Sequence, residues 1–232
     1  MDDAESEPIE RAVTAAFPDR TVGRLTGVGP SWNGANETVG VVFADGTRAF
    51  LKVAFDDESH RLERECAVLR YLRAHGPLFV PEVLAADPDG DPAYLATAPA
   101  PGRGLLEVYE AASDAERERL LRRVGRALAE LHADRFERHG EIVGSGTERG
   151  AAAESEVTAG SDPAPGLSIE FAPWSDVLLA TIERTREIGT SERLADHYDA
   201  VVDCVRANRG SLDDAPAALL HGDVAKPNLF VD

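Results

Sequence analysis

Lysine is almost missing from this 232-residue chain: Lys52 and Lys226 are the only two. The rest of the positive charge is arginine, and 24 basic residues face 42 acidic ones, a net charge of −18. A chain this acidic repels nucleic acid and anionic membranes, so neither is an expected partner. Cysteine is scarce as well. Cys66 and Cys204 lie far apart in sequence, which excludes a disulfide framework or a zinc site; both are expected to be free, buried thiols in helices. No run of about 18 apolar residues is present, which excludes a membrane-spanning helix. The first residues, MDDAESEPIERA, are acidic and lack an apolar core, so no secretory signal is expected and the expected location is the cytoplasm. The six histidines form no HxH or HExxH spacing. A metallohydrolase built on His221 and Asp223 would therefore lack the further ligands it needs.

What is present is globular in composition, 43% hydrophobic and 28% charged. The length suffices for one large domain or two lobes with a sizeable core. The acidic surplus is spread along the chain. With lysine so scarce, the composition resembles that of proteins from salt-loving microbes, where concentrated salt screens such repulsion.

Ile9, Val13 and Phe17 recur at helical spacing and Pro18 follows, which predicts a short N-terminal helix. Residues 38–43 and 48–54 read as two strands joined by the tight turn Ala44-Asp45-Gly46-Thr47. Residues 58–75 read as a helix with the apolar stripe Leu62, Cys66, Leu69 and Leu72, ended by Gly76-Pro77. A second strand pair is expected over 82–97, around the turn Asp87-Pro88-Asp89-Gly90-Asp91. Ala98-Pro99-Ala100-Pro101-Gly102-Arg103-Gly104 then reads as a linker. Beyond it the sequence turns helical. Ser113-Asp114-Ala115-Glu116 is a capping box, and Leu120, Val124, Leu128 and Leu131 follow on one face. Residues 144–168 read as a mobile loop rich in Gly, Ala, Ser and Glu. Two helices are expected at 175–188 and 191–208, with Gly189 and Gly210 in the C-cap place. An apolar strand over 217–220, a turn at His221-Gly222-Asp223 and the run Leu229-Phe230-Val231 close the chain. β-rich sequence, then a linker, then helices predicts two lobes with a cleft between them, where ligands commonly sit.

Four groups of residues carry the chemistry. His221-Gly222-Asp223-Val224-Ala225-Lys226-Pro227-Asn228 sets an Asp five residues before an Asn, on a loop between two short apolar strands. A phosphoryl transferase needs this pair: the Asp orients the attacking hydroxyl and takes its proton, and the Asn amide oxygen ligates Mg²⁺. The bland reading is a polar turn with this spacing by chance. Lys52, alone in the apolar strand Ala49-Phe50-Leu51-Lys52-Val53, is placed to reach the α- and β-phosphates of a nucleotide, or is an edge-strand lysine reaching water. Glu65 falls within the apolar stripe of its helix, near Leu72 and Leu69 on the helical wheel. A carboxylate facing a core needs a partner, and Lys52 is the candidate; a boundary glutamate reaching solvent is the alternative. The loop Gly27-Val28-Gly29-Pro30-Ser31-Trp32-Asn33-Gly34-Ala35-Asn36 precedes the hairpin, and Gly29 and Gly34 would let backbone approach phosphate. An ordinary turn reads equally well there.

The HGDxxxxN loop resembles the catalytic loop of the aminoglycoside phosphotransferase and choline kinase-like family, small-molecule relatives of the protein kinases. Protein kinases usually carry HRD, and Gly222 favours the small-molecule branch. The "LKV" strand around Lys52, Arg64-Glu65 and the "LxxLH" helix end at His132 are similar to that family too, His132 being expected in a structural role. Many members have a proline three residues after the Asp; here Lys226 holds that place, and a solvent-facing and a phosphate-near lysine stay open.

The resemblance implies an α+β, protein kinase-like fold: an N-terminal ATP-binding lobe over 1–97 with an antiparallel sheet and one helix, a hinge over 98–104, and an incomplete, mostly helical lobe over 105–232 with the catalytic loop at 221–228. It implies transfer of the γ-phosphate of ATP to a small hydroxylated or amine-bearing acceptor. Asp223 would be the base, Asn228 the Mg²⁺ ligand, Lys52 and Glu65 the ATP-positioning pair, and Thr97, in the segment 94–99, would sit where hinge backbone meets adenine. The family's second metal aspartate commonly lies in an Asp-Trp or Asp-Phe pair over ten residues beyond the catalytic Asp, and the chain ends at Asp232, nine residues after Asp223. The resemblance thus spans about residues 20–232 but not the whole family domain. The alternative is a catalytically incomplete kinase-like fragment or nucleotide-binding module. Acceptor and oligomeric state are not legible.

Overall fold

The computed structural model describes residues 3–30, 36–55, 59–76, 78–148, 150, 165–189 and 192–232. A helix, α1 (Asp3–Ala16), leads into β1 (Val22–Pro30), β2 (Asn36–Phe43) and β3 (Arg48–Ala54); then come α2 (Ser59–His75), β4 (Val83–Asp87) and β5 (Tyr94–Thr97). The five strands form one antiparallel sheet in the order β1-β2-β3-β5-β4.

Strand alternation gives the sheet two apolar faces. Ala49, Leu51 and Val53 of β3, with Val39, Val41, Tyr94 and Ala96, pack against Ile9 and Val13 of α1 and against Phe17 just beyond its end. Ala54 and Leu95, with Ala93, turn to the other face and pack against Leu62 and Cys66 of α2. The sheet is therefore covered by two helices, the one the family resemblance implied and the N-terminal helix expected from its apolar spacing. Leu51 is fully buried. Leu51→Ala is expected to cost about 3–5 kcal/mol, from lost apolar burial and the cavity left in a tight site; urea unfolding would measure it.

The helical stripe of α2 divides between two cores. Leu62, Cys66 and Leu69 face the sheet. Ala67, Tyr71 and Leu72 join Leu131, Leu167 and Leu219 in a second cluster that ties α2 to the rest of the chain. Cys66 is buried as expected, and that burial pushes its thiol up from the ordinary range. Cys204 is helical but exposed, correcting the expectation of two buried thiols.

After the sheet come β6 (Arg103–Gly104), α3 (Leu105–Ala111), α4 (Asp114–Leu131), β7 (Arg135–Phe136), β8 (Gly140–Gly146), β9 (Gly166–Phe171) and α5 (Trp174–Ile188). Three short helices follow, α6 (Glu192–Ala195), α7 (Tyr198–Ala207) and α8 (Arg209–Asp213). The chain then runs through β10 (Ala217–Ala218), a 3-10 turn (Lys226–Asn228) and β11 (Phe230–Val231). At the Ser113–Glu116 capping box the Ser113 hydroxyl and N–H both donate to Glu116 Oε2, which holds the Glu116 carboxyl below its usual range.

Two expectations need correction here. The reading of 144–168 as a loop overlooked a hairpin: β8 and β9 pair from Gly140↔Phe171 to Gly146↔Gly166. Residues 149 and 151–164 lie outside the described residues. The helix expected at 191–208 is broken, and Gly210 sits inside α8 while Asn208 ends α7. Gly189, by contrast, does cap α5, at φ +91°.

Candidate active site

Two short strand pairs fix the loop that follows β10. Before it, Ala217 pairs with Phe136 and Ala218 with Arg135, tying β10 to β7 beyond the end of α4. After it, Phe230 pairs with Gly104 and Val231 with Arg103, and the Leu105 N–H donates to the Leu229 carbonyl at 2.8 Å. The loop is thus held at both ends. Gly102 makes the second seam possible: its φ is +86°, and an added Cβ would lie 2.5 Å from the Val231 carbonyl oxygen. This pairing also shows that Arg103-Gly104, read as linker, is strand.

Inside the loop, Gly222 has φ +79°, a backbone conformation that a side chain strains. That is a physical reason for glycine between His221 and Asp223. The Asp223 N–H donates to His221 Nδ1 at 3.3 Å. The Asn228 Nδ2 donates to Asp223 Oδ2 at 2.7 Å and to the Asp223 carbonyl at 3.2 Å. The 3-10 turn over Lys226–Asn228 brings the two residues together despite their five-residue separation. Both are exposed to solvent. Lys226, whose role the sequence left open, stands over the Tyr109 ring with its Nζ 4.1 Å from the centroid, a cation–π contact with α3.

Lys52 and Glu65 meet as anticipated. Lys52 Nζ lies 2.6 Å from Glu65 Oε2 and 2.8 Å from Oε1. Lys52 is on the α2 face of the sheet because its strand neighbours Leu51 and Val53 face α1. The pair is half-open, with the side chains 28% and 41% exposed. Glu65 and the loop residues His221, Gly222 and Asp223 line one cleft of about 950 Å³.

The remaining expected residues divide. Gly29 belongs to β1, paired with Thr38 beside a register shift at Gly27/Gly29, so strand extends into the expected loop. Gly34 lies outside the described residues. Thr97 ends β5, facing Phe50 of β3 and Val83 of β4. The segment read as hinge, 94–99, is thus central strand through Thr97, and the backbone leaves the sheet at Ala98, whose N–H still donates to Glu82. His132 ends α4 and borders the cleft.

The family resemblance implies a divalent cation. With its Nδ2 spent on Asp223, Asn228 has Oδ1, on the other side of the amide, as an oxygen donor for a hard ion. Among the described residues no group of three or more His, Cys, Asp or Glu is arranged to hold a metal. Asn228 would thus offer one oxygen to an ion such as Mg²⁺, which binds few protein groups, usually carboxylates, and completes its shell with phosphate and water.

Sequence reasoning missed a buried polar link between α2 and the end of α4. The Tyr71 hydroxyl donates to Asp134 Oδ2 at 2.6 Å and accepts from the Gly150 N–H at 2.9 Å. Both side chains are buried. Tyr71 stands under two turns beyond Glu65 on α2, so this bond braces the helix that presents Glu65 to Lys52. Tyr71→Phe is expected to cost about 1–3 kcal/mol in urea unfolding, because it withdraws a donor from a buried carboxylate. The tyrosine was invisible among apolar stripe positions; Asp134 just after Leu131-His132 was the available signal.

The sequence pattern of the phosphotransferase enzyme family matches residues 29–232. The chain belongs to that family. Its fold is similar to that of the GDP and kanamycin complex of APH(2")-IIia, with a TM-score of 0.59 and 15% identity over 97% of this chain and 67% of the other. A mutant aminoglycoside 2'-phosphotransferase in complex with GDP gives 0.58, 16%, 97% and 66%. A putative fructosamine-3-kinase from Thermobifida fusca gives 0.51, 22%, 91% and 66%. The chain thus spans about two thirds of the length of these structures. No curated protein matches it. At these identities the likeness is one of fold, α+β and protein kinase-like.

Proposed function

We propose that this member of the phosphotransferase enzyme family transfers the γ-phosphate of ATP to a hydroxyl of a small molecule in the cytoplasm. The observation that carries this reading is the convergence on one cleft of Glu65, holding Lys52, and of Asp223, held by Asn228. In this reading residues 1–97 bind the nucleotide, 98–104 connect the lobes, and 105–232 supply the catalytic loop. Adenine lies against the backbone from Thr97 onward, and glycine at 29 and 34 lets backbone approach the phosphates.

The Lys52 ammonium holds phosphate oxygens, and Glu65 keeps it extended toward them. The Asp223 carboxylate orients the acceptor hydroxyl and receives its proton as the new O–P bond forms and the bond to the departing nucleoside diphosphate breaks. Asn228 would hold Mg²⁺ through Oδ1, and when bound that ion neutralises charge developing on the phosphates. The acidic surface fits a protein kept soluble in concentrated salt.

Mg-ATP is expected to raise the melting temperature, and γ-labelled ATP to transfer label to a hydroxylated acceptor. Mg-GTP belongs in the same assay, since two fold neighbours are GDP complexes. Nucleotide binding without transfer to any acceptor would favour the nucleotide-binding module; no nucleotide binding would overturn both readings.

A further inference from the structure

Arginine is concentrated in the cleft that Asp223 lines. Arg61, Arg64, Arg135, Arg138 and Arg184 border it, against three carboxylates, Glu65, Glu141 and Asp223. Glu65 is already matched by Lys52. A cleft lining rich in positive charge is out of keeping with a chain of net charge −18.

The partners of these arginines sharpen the point. Arg64 reaches Glu141 at 2.8 Å and Arg184 reaches the same carboxylate at 3.5 Å, so two guanidinium groups share one negative charge. Arg138 stacks on the Phe171 ring at 3.5 Å from its centroid. Arg135 donates to the Pro216 carbonyl at 3.4 Å. Those last two partners are uncharged: they orient the guanidinium and leave its charge in place. A planar guanidinium so held is suited to grip a carboxylate or phosphate through paired hydrogen bonds.

These residues lie on α2, on α5 and along the segment from β7 to β8, whereas the nucleotide is assigned to the sheet and the chain leaving it. An amine-rich acceptor would meet like charge here, which disfavours it.

We propose, on the basis of the phosphotransferase reading above, that the acceptor is an anionic, hydroxyl-bearing small molecule. Its carboxylate or phosphate is held by Arg135, Arg138 and Arg184, and its hydroxyl is presented to Asp223. The hydroxyl oxygen attacks the γ-phosphorus, its proton passes to the Asp223 carboxylate, and the nucleoside diphosphate departs with the electrons of the broken P–O bond.

The test holds the sugar scaffold constant and varies charge alone. Isothermal titration with a non-hydrolysable ATP analogue and Mg²⁺ present compares glucose, glucosamine, glucuronate and glucose 6-phosphate at about 0.15 M salt, where steep screening is avoided. One or both anions are expected to bind at least about tenfold more tightly than glucose, the size of a charge-assisted contact, and glucosamine more weakly than glucose. The two anions distinguish a carboxylate from a phosphate site. Arg135→Gln and Arg138→Gln, both at exposed positions, are each expected to remove about tenfold from anion affinity and to leave glucose affinity alone. Glucosamine binding as well as the anions, no binding by any of the four sugars, or an unchanged anion preference in both variants overturns the proposal. Failure to bind the ATP analogue is a separate readout, and it counts against the phosphotransferase reading instead.

Discussion

Asp223→Ala should lower phosphoryl transfer about a thousandfold or more and change nucleotide affinity by less than about threefold. The magnitude is that of removing a positioned proton acceptor, typically 10²–10⁴ in rate. Binding is spared because the phosphates are assigned to Lys52 and to the Mg²⁺ that Asn228 would hold, so a neutral side chain at 223 removes no contact to them. The change also withdraws the acceptor of the 2.7 Å bond from Asn228 Nδ2. The loop should survive that loss. The Asn228 Nδ2 keeps the Asp223 backbone carbonyl, and the flanking pairs β7–β10 and β6–β11 do not involve the side chain. Asp223→Asn is the stricter companion, being isosteric and unable to accept the proton. Acceptor-dependent nucleoside diphosphate release and calorimetric nucleotide titration, run on both variants, separate the two effects. Transfer retained within tenfold of the parent in both variants would remove Asp223 from its assigned role.

What could be read in the sequence had local or one-dimensional signals. The β2–β3 hairpin carries an Asp-Gly turn, α4 carries its capping box, and Glu65 is marked by its place in the stripe of α2. The Lys52–Glu65 pair was inferable because a carboxylate facing a core requires a counter-charge. Features resting on a few residues paired over long separations were not legible. β6 with β11 and β7 with β10 join two residues each across some 80 to 130 positions, too short for any periodic pattern. The β8–β9 hairpin was overlooked because its strands carry Gly140, Gly144, Gly146 and Gly166, turn-like by composition. Its inward residues, Ile142, Leu167 and Ile169, pack on α2 with Tyr71 and Leu72. Tertiary burial there outweighs local propensity. The arginines of the cleft were equally hidden, since the chain's 22 arginines are scattered along an acidic sequence and only the fold brings five of them to one cleft.

Lys52→Met should weaken Mg-nucleotide binding or slow transfer by about tenfold to a hundredfold while shifting stability by no more than about 1 kcal/mol. The second figure follows from exposure. Lys52 is 28% exposed and Glu65 41%, so solvent screens the pair and leaves it little weight in folding. A hydrogen-bonded 2.6 Å contact retained at such small structural benefit makes sense if its product is geometry: an ammonium held in place before the phosphates arrive. Glu65→Gln tests that account. The amide can still accept from Lys52 but lacks the charge that fixes it, so the single change should reduce transfer less than Lys52→Met does. The double variant should be no worse than Lys52→Met alone, because once the ammonium is gone Glu65 has nothing to position. Urea unfolding and transfer rates on the three variants complete the cycle. Additive losses in rate would mean that Glu65 contacts the reacting groups independently, and a stability loss above about 2 kcal/mol would return the pair to a structural role.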